Sequence, residues 1–146
     1  MVLLHTGAEP CTTFVLPHAA ESLVSARRSM VDELLEFGVD RDALVDAEIV
    51  LGELMANAVE HGAPLATVPT GPRAGGLFEV GWCVLGPVLR LSVVDGGSGA
   101  ALRPGAFDSE SLRGRGLQIV DTVCERWEAD LVAGTRITAE LRISSD

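Results

Sequence analysis

The strongest constraint on the fold is a helical period that runs from about Asp40 to His61. Asp40 or Asp42 is a suitable N-cap, and Gly62 with Pro64 ends the period. Apolar residues recur on one arc at spacings of three and four, as in a helix that covers a core: Leu44, Ala47, Leu51, Leu54 and Ala58. The sequence therefore predicts one long amphipathic helix whose apolar stripe faces the core.

A neighbouring arc of the same helix carries a carboxylate, a carboxamide and an imidazole. At about 100° per residue, Asn57 lies roughly 40° and His61 about 80° from Glu53. Glu60 falls into the same arc. A solvated helix face explains such a pattern when it stands alone, so a functional interpretation needs support from other segments.

The other periods predict an α/β fold, a two-layer sandwich with helices on one face of a mixed, mostly antiparallel sheet. A first helix is expected from Glu21 or Ser22 to Gly38, and a third along Leu117, Val120, Cys124 and Trp127. Strands are expected over four segments: 12–16, 77–85, 88–94 and 135–143.

The chain is expected to form one domain over residues 12–146, preceded by a loose leader over residues 1–11. Glycine, proline and small residues predict loops over 63–76 and 100–113. The 146 residues are enough to bury a core, and 47% of them are hydrophobic.

Charge and cysteine content narrow the classes of function. A net charge of −10 argues against nucleic acid as a main partner, since phosphate backbones need a basic surface. No apolar run is long enough for a membrane span, so no membrane partner is expected. The three cysteines are scattered and lack CxxC spacing, which predicts neither a disulfide nor a zinc site and favours reduced thiols in the cytoplasm.

Two further segments follow the long helix in the chain. The first, residues 89–99, is β-rich and ends in Asp95 and a glycine cluster. The second, residues 114–120, has a glycine pair that opens a helical period. One glycine cluster is weak evidence because turns need glycine, but the order and spacing of the two clusters after the Glu53–Asn57 pair are much more specific.

Together these three segments resemble the asparagine box and the two glycine boxes of the GHKL ATP-binding superfamily, which includes gyrase, histidine kinases and MutL. The short form is similar to the anti-sigma-factor serine kinases related to RsbW and SpoIIAB. The resemblance covers roughly residues 12 to 143. The chain departs from histidine kinases in lacking a phosphoacceptor helix before the asparagine box, and its short segment between the glycine boxes differs from the long lid of gyrase.

The resemblance implies a role for each matching side chain. Glu53 corresponds to the general base that acts on an acceptor hydroxyl or water, and Asn57 to the ligand of Mg²⁺. Asp95 corresponds to the acid that accepts from the adenine amino group. His61 has either a phosphate-binding or a helix-capping role. The other positions implied for nucleotide binding are Gly97, Gly99, Arg113, Gly114, Arg115, Gly116, Leu117 and Thr135.

The function implied is that of an ATP-dependent serine/threonine protein kinase with ATP and Mg²⁺, whose substrate is a STAS-domain antagonist of an anti-sigma factor. Whether the chain also binds a sigma factor, and whether it forms a homodimer, stays open. The alternative is a non-catalytic regulatory module that exchanges partners according to bound ATP or ADP. A domain with no ligand requires three coincidental motifs.

Overall fold

The computed structural model describes residues 2–6, 11–71, 74–97 and 118–143. Two long helices match the predicted ones: α1 spans Ser22–Glu36 and α2 spans Arg41–His61. The side chain of Asp40 caps α2 by accepting from the Ala43 N–H at 2.9 Å. In the described part of the chain, neither helix is long and apolar enough to cross a membrane.

The described strands form one antiparallel sheet. They are β1 (Val2–Thr6), β2 (Cys11–Pro17), β3 (Ala66–Val68), β4 (Gly75–Leu85), β5 (Val88–Asp95), β6 (Arg126–Asp130) and β7 (Thr135–Arg142). Their order across the sheet is β1-β2-β4-β5-β7-β6, and β3 pairs with one end of β4. The central hairpin of β4 and β5 and the terminal strand β7 confirm the strands predicted there.

The core lies between the two helices and one face of the sheet. Alternate residues of β4, β5 and β7 point into it, which is the period of two that a half-buried strand requires. The largest fully buried side chains include Phe78, Trp82, Leu54 and Met55. Because α2 packs over β5 and β7, its C-terminal end comes to the place where β5 ends and β7 begins.

Three strands lie where the sequence analysis expects none. Val2–Thr6, within the expected leader, pairs with β2 as an edge strand. Ala66–Val68, within the loop expected over 63–76, pairs with β4. Trp127, expected on the third helix, lies in β6 instead, and among the described residues the helical segment there covers 118–123. Short strands depend on pairing with distant neighbours, which local period does not reveal.

The expectation of reduced thiols is wrong for two of the three cysteines. Cys11 and Cys83 lie directly opposite each other on β2 and β4 and form a disulfide. Sequence spacing did not predict this because the two are separated by 72 residues and only the strand register brings them together. The third, Cys124, is free and buried, and burial, with Asp46 and Asp121 nearby, raises the pKa of its thiol to about 11.

We expect titration of thiols to count one reactive group per chain after unfolding without reductant. After reduction the count should rise to three, because the disulfide then releases Cys11 and Cys83. The folded protein at about pH 8 should react slowly, since the thiol of Cys124 is buried and protonated. Three thiols in the unfolded, unreduced protein would contradict the disulfide and restore the reduced-thiol expectation.

Candidate functional site

The candidate site is built around Asp95, the last residue of β5. Asp95 stands opposite Thr135, the first residue of β7, in the antiparallel register. Both residues are 3% exposed. A carboxylate is rarely buried to this degree unless it is paired or has a function, so its partners decide how Asp95 is to be understood.

One oxygen of the Asp95 carboxylate is held by the backbone. Asp95 Oδ1 accepts from the N–H of Gly97 at 2.6 Å and from the N–H of Ala63 at 3.3 Å. A further backbone bond runs from Gly96 N–H to the Ala63 carbonyl at 2.8 Å, and Thr135 donates its hydroxyl to the Gly97 carbonyl at 2.9 Å. Within the described part of the chain, nothing donates to Asp95 Oδ2.

Glycines allow the chain to approach Asp95 this closely. A Cβ at Gly62 would lie 2.5 Å from the Asp95 carboxylate, and one at Gly134 would lie 2.4 Å from the Asp95 carbonyl oxygen. Gly134 also has a φ of +89°, which disfavours other residues. Both positions therefore need glycine, and both bring a neighbouring segment against the acid.

Burial dominates the electrostatics of Asp95. Loss of hydration raises the pKa of this carboxyl above its ordinary value of 3.8. The N–H groups of Gly97 and Ala63 and the nearby charge of His18 act in the opposite direction. The acid is thus held in a place that disfavours its charge, as in many ligand-binding sites.

The polar arc of α2 leads away from this acid along the helix. Asn57 is 9% exposed, and its carboxamide has no hydrogen-bond partner among the residues that the structure describes. Glu53, one turn earlier, is half-buried. At about 1.5 Å per residue, Glu53 precedes Asn57 by roughly 6 Å along the axis, and Asn57 precedes Gly62 by roughly 7.5 Å.

His61 is the last residue of α2 and differs from the other two side chains. Its side chain is 39% exposed, and its ring lies 3.8 Å from the Glu60 carboxylate. Basic charge in the last turn is favourable to the helix dipole, so this placement suits the capping role. The phosphate-binding role stays a prediction.

The structure thus brings together Asp95, Gly97 and Thr135 by direct contact and places Asn57, Glu53 and His61 on the adjoining helix. The remaining predicted positions lie outside the described residues and stay predictions: Gly99, Arg113, Gly114, Arg115, Gly116 and Leu117. The loop expected over 100–113 lies outside them too.

Sequence reasoning missed three neighbours of Asp95. Ala63 and Gly134 contact it through the backbone, and His18 acts on it through charge. Two glycines were the available signal for the backbone contacts. Gly62 ends the predicted long helix just before Ala63, and Gly134 directly precedes the strand predicted from residue 135. His18 gave no local signal, because a histidine after a strand has no characteristic spacing.

A cavity of about 530 Å³ lies on the face of the sheet that the helices leave uncovered, and it does not include Asp95. Its charged lining is balanced between three arginines and three glutamates: Arg90, Arg126, Arg136, Glu79, Glu128 and Glu140. Arg126 and Arg90 pair with Glu140, and their hydrogen bonds, led by that of Arg126, lower the pKa of this carboxyl. These internal ion pairs describe a solvated sheet face better than a binding site.

Comparison with known proteins addresses the fold and the family. The family model described as "Histidine kinase-like ATPase domain" matches residues 16–141. The chain is also similar to a solved structure, "The crystal structure of the RsbU and RsbW domains of Rv1364c from Mycobacterium tuberculosis", with a TM-score of 0.63 and 19% identity. That likeness covers 92% of this chain and 32% of the other, so this chain spans about a third of its length.

No curated protein matches the chain. At 19% identity the structural likeness shows the fold alone, and with the family match it confirms the two-layer α/β sandwich. The family match also confirms the ATPase superfamily expected from the three boxes.

We expect Asp95→Asn to keep or raise the free energy of unfolding of the nucleotide-free protein at neutral pH. The carboxamide oxygen can still accept from Ala63 and Gly97, and no charge is buried. Asp95→Ala, the matched control, should lose about 1–3 kcal/mol because those two N–H groups lose their acceptor.

The effect of Asp95 on the free energy of unfolding depends on pH. Because burial raises the folded-state pKa of Asp95 above 3.8, this residue stabilises the fold most when the pH is below 3.8. That stabilisation is lost as the pH rises through the folded-state pKa. Urea unfolding between about pH 4 and pH 7 should show the advantage of Asp95→Asn growing with pH. A loss of more than about 1 kcal/mol in Asp95→Asn at neutral pH would show that the charge is structural.

Proposed function

Because this chain belongs to the histidine kinase-like ATPase domain family, we propose that it binds ATP with Mg²⁺ and transfers the γ-phosphate to a serine or threonine hydroxyl of a protein partner. ATP is the ligand that membership of an ATPase family implies. Serine/threonine specificity and the partner are the finer part of the proposal.

The observation that carries the proposal is a buried acid whose carboxylate is only half occupied by the residues that the structure describes. Asp95 Oδ1 is occupied by two backbone N–H groups, whereas no described residue donates to Oδ2. The exocyclic amino group of adenine is a donor, but guanine carries an acceptor at that position. An ionised Asp95 therefore selects adenine, and Thr135 beside it offers a second polar group.

The carboxamide of Asn57 suits the metal that accompanies ATP. Mg²⁺ takes hard oxygen ligands and keeps several waters and phosphate oxygens, so one protein ligand is sufficient. Asn57 is 9% exposed and has no hydrogen-bond partner among the described residues, so its carboxamide oxygen is available to a ligand. When bound, Mg²⁺ would neutralise charge on the phosphates.

Glu53 supplies the base in this proposal. The oxygen of the acceptor hydroxyl bonds to the γ-phosphorus, the bond from that phosphorus to the bridging oxygen breaks, and ADP leaves. The hydroxyl proton passes to the carboxylate of Glu53, one turn of α2 before Asn57. Positioning and electrostatics account for most of the catalysis in phosphoryl transfer, and a rigid helix is suited to both.

For the protein substrate we propose a STAS-domain antagonist, with a sigma factor and a second copy of the chain as further partners. The support is the fold shared with the solved structure of RsbU and RsbW domains. The net charge of −10 favours partners that present basic patches.

A second candidate function is ATP-dependent binding without phosphoryl transfer. It is favoured by one observation, which is that no described residue hydrogen-bonds the Glu53 carboxylate. A general base is usually oriented by a neighbour, although such contacts often form only in the substrate complex.

If Asp95 reads the adenine amino group, ATP and ADP should bind with Mg²⁺ dependence and GTP much more weakly. The unpaired acceptor costs on the order of 1–3 kcal/mol, which corresponds to about tenfold to a hundredfold in Kd. Asp95→Asn should weaken ATP binding while the protein stays folded. Calorimetry that finds equal affinity for ATP and GTP would remove the assignment.

A second pair of variants separates the base from the metal ligand. Glu53→Gln should bind ATP normally and lose phosphoryl transfer, by about a hundredfold or more, because the carboxylate acts only on the attacking hydroxyl. Asn57→Ala should weaken Mg²⁺-dependent ATP binding itself. Glu48→Gln is the matched control, since Glu48 is also a half-buried glutamate of α2.

The measurements are calorimetric affinity for ATP with Mg²⁺ and transfer of labelled γ-phosphate to a candidate STAS-domain protein. Glu48→Gln should match the wild type in both. If Glu53→Gln transfers the labelled phosphate at the wild-type rate, Glu53 is not the general base. Binding of ATP without transfer to any partner, in wild type and Glu53→Gln alike, would support the second candidate function.

A further inference from the structure

His18 is a histidine that neither the sequence motifs nor the proposed chemistry uses. It follows β2 directly, and its backbone N–H donates to the Gly76 carbonyl at 2.9 Å. Its ring meets that of Phe78 edge-on, with centroids 5.4 Å apart and planes at 90°. Backbone and ring are therefore both fixed at the end of the sheet that carries Asp95.

The fixed ring reaches the last turn of α2. His18 Nε2 lies 2.7 Å from the Ala58 carbonyl oxygen, which also accepts from the Gly62 N–H at 3.1 Å. A carbonyl oxygen can only accept, so this bond requires the proton on Nε2 of His18. A carbonyl oxygen has two lone pairs, so the Ala58 carbonyl accepts from Gly62 and takes its second donor, His18, from outside the helix.

The residues after that carbonyl lead straight to the acid. Gly62 ends α2 in an extended conformation, with φ −94° and ψ −163°. The next residue, Ala63, donates its N–H to Asp95 Oδ1 and accepts from the Gly96 N–H. The end of α2 and the carboxylate are therefore joined through two consecutive residues, and a shift at Ala58 is passed on to Asp95.

We infer that His18 is a positioning residue for Asp95, fixing the end of α2 through the Ala58 carbonyl so that Ala63 holds the carboxylate ready for its ligand. That the ligand is adenine rests on the proposed function, whereas the positioning itself does not. His18 makes no contact with the reacting atoms in this scheme and acts only through α2.

The electrostatics agree with this geometry. Burial raises the pKa of Asp95, and among the opposing influences the charge of His18 follows the N–H groups of Gly97 and Ala63. The hydrogen bond of the His18 ring to α2 and its charge therefore both favour an ionised Asp95 held in place for a ligand. The hydrogen bond and the charge are separable by substitution, because glutamine keeps a donor and carries no charge.

The test compares His18→Gln, which can still donate to the Ala58 carbonyl, with His18→Leu, which fills space against Phe78 but cannot donate. Amide hydrogen exchange is measured by NMR on the nucleotide-free full chain. The reporting amides are those of Gly62, Ala63 and Gly97, and the Ile143 N–H, bonded to the Pro87 carbonyl, is the distant control. Calorimetric affinity for ATP is measured on the same proteins.

We expect His18→Leu to exchange about fivefold faster at the reporting amides, the ratio expected for the loss of one ordinary hydrogen bond, with Ile143 unchanged. His18→Gln should restore wild-type exchange. The Kd for ATP should rise about fivefold in His18→Leu and stay near wild type in His18→Gln.

Equal acceleration at Ile143 would show a general loss of stability and overturn the inference. Reporting amides that exchange at the wild-type rate in His18→Leu would overturn it too. If those amides exchange as fast in His18→Gln as in His18→Leu, the effect comes from charge and the inference of a positioning hydrogen bond is overturned. If the local exchange pattern appears as expected but the wild type binds no ATP, the positioning role stands and the proposed function fails.

Discussion

The contact on which the rest of the site depends is the bond from the backbone at the end of α2 to the carboxylate at the end of β5. Ala63 donates to Asp95, and Gly96 donates back to Ala63, so two hydrogen bonds join the end of the helix to the end of the strand here. The same carboxylate oxygen also accepts from Gly97 at 2.6 Å, so the longer Ala63 bond of 3.3 Å acts together with a short one. The contact therefore fixes where the polar arc of α2 stands relative to the acid.

That contact is also costly, since Asp95 is buried with one oxygen unused by the described residues. A core that served only stability would place an apolar residue at position 95, as the preceding pairs of the same two strands do with Val93 opposite Ile137 and Leu91 opposite Ala139. Glycines at 62 and 134 add to the cost, because both lose side-chain packing to allow the close approach. Several features that destabilise the fold and meet at one acid are characteristic of a ligand-binding site.

The sequence predicted the elements with strong periods and missed those defined by pairing. Helix α2 and strand β7 follow from apolar spacing alone, and Asp40 caps α2 as its sequence position predicts. Trp127 was misplaced because three or four apolar residues fit a helical period and a strand equally well. The disulfide and the contact of His18 with Ala58 join positions 72 and 40 residues apart, and only the folded register reveals such pairs.

The direction of α2 constrains how a nucleotide can lie in the proposed site. Nine residues at about 1.5 Å each separate Glu53 from Gly62 by roughly 13.5 Å along the axis. Since Gly62 touches Asp95, a base held there leaves the sugar and phosphates to extend along the helix toward Asn57 and Glu53. Recognition of the base and chemistry at the terminal phosphate then occupy opposite ends of one rigid element. A shift of α2 that weakened the contacts with the adenine would therefore also displace Glu53, the general base.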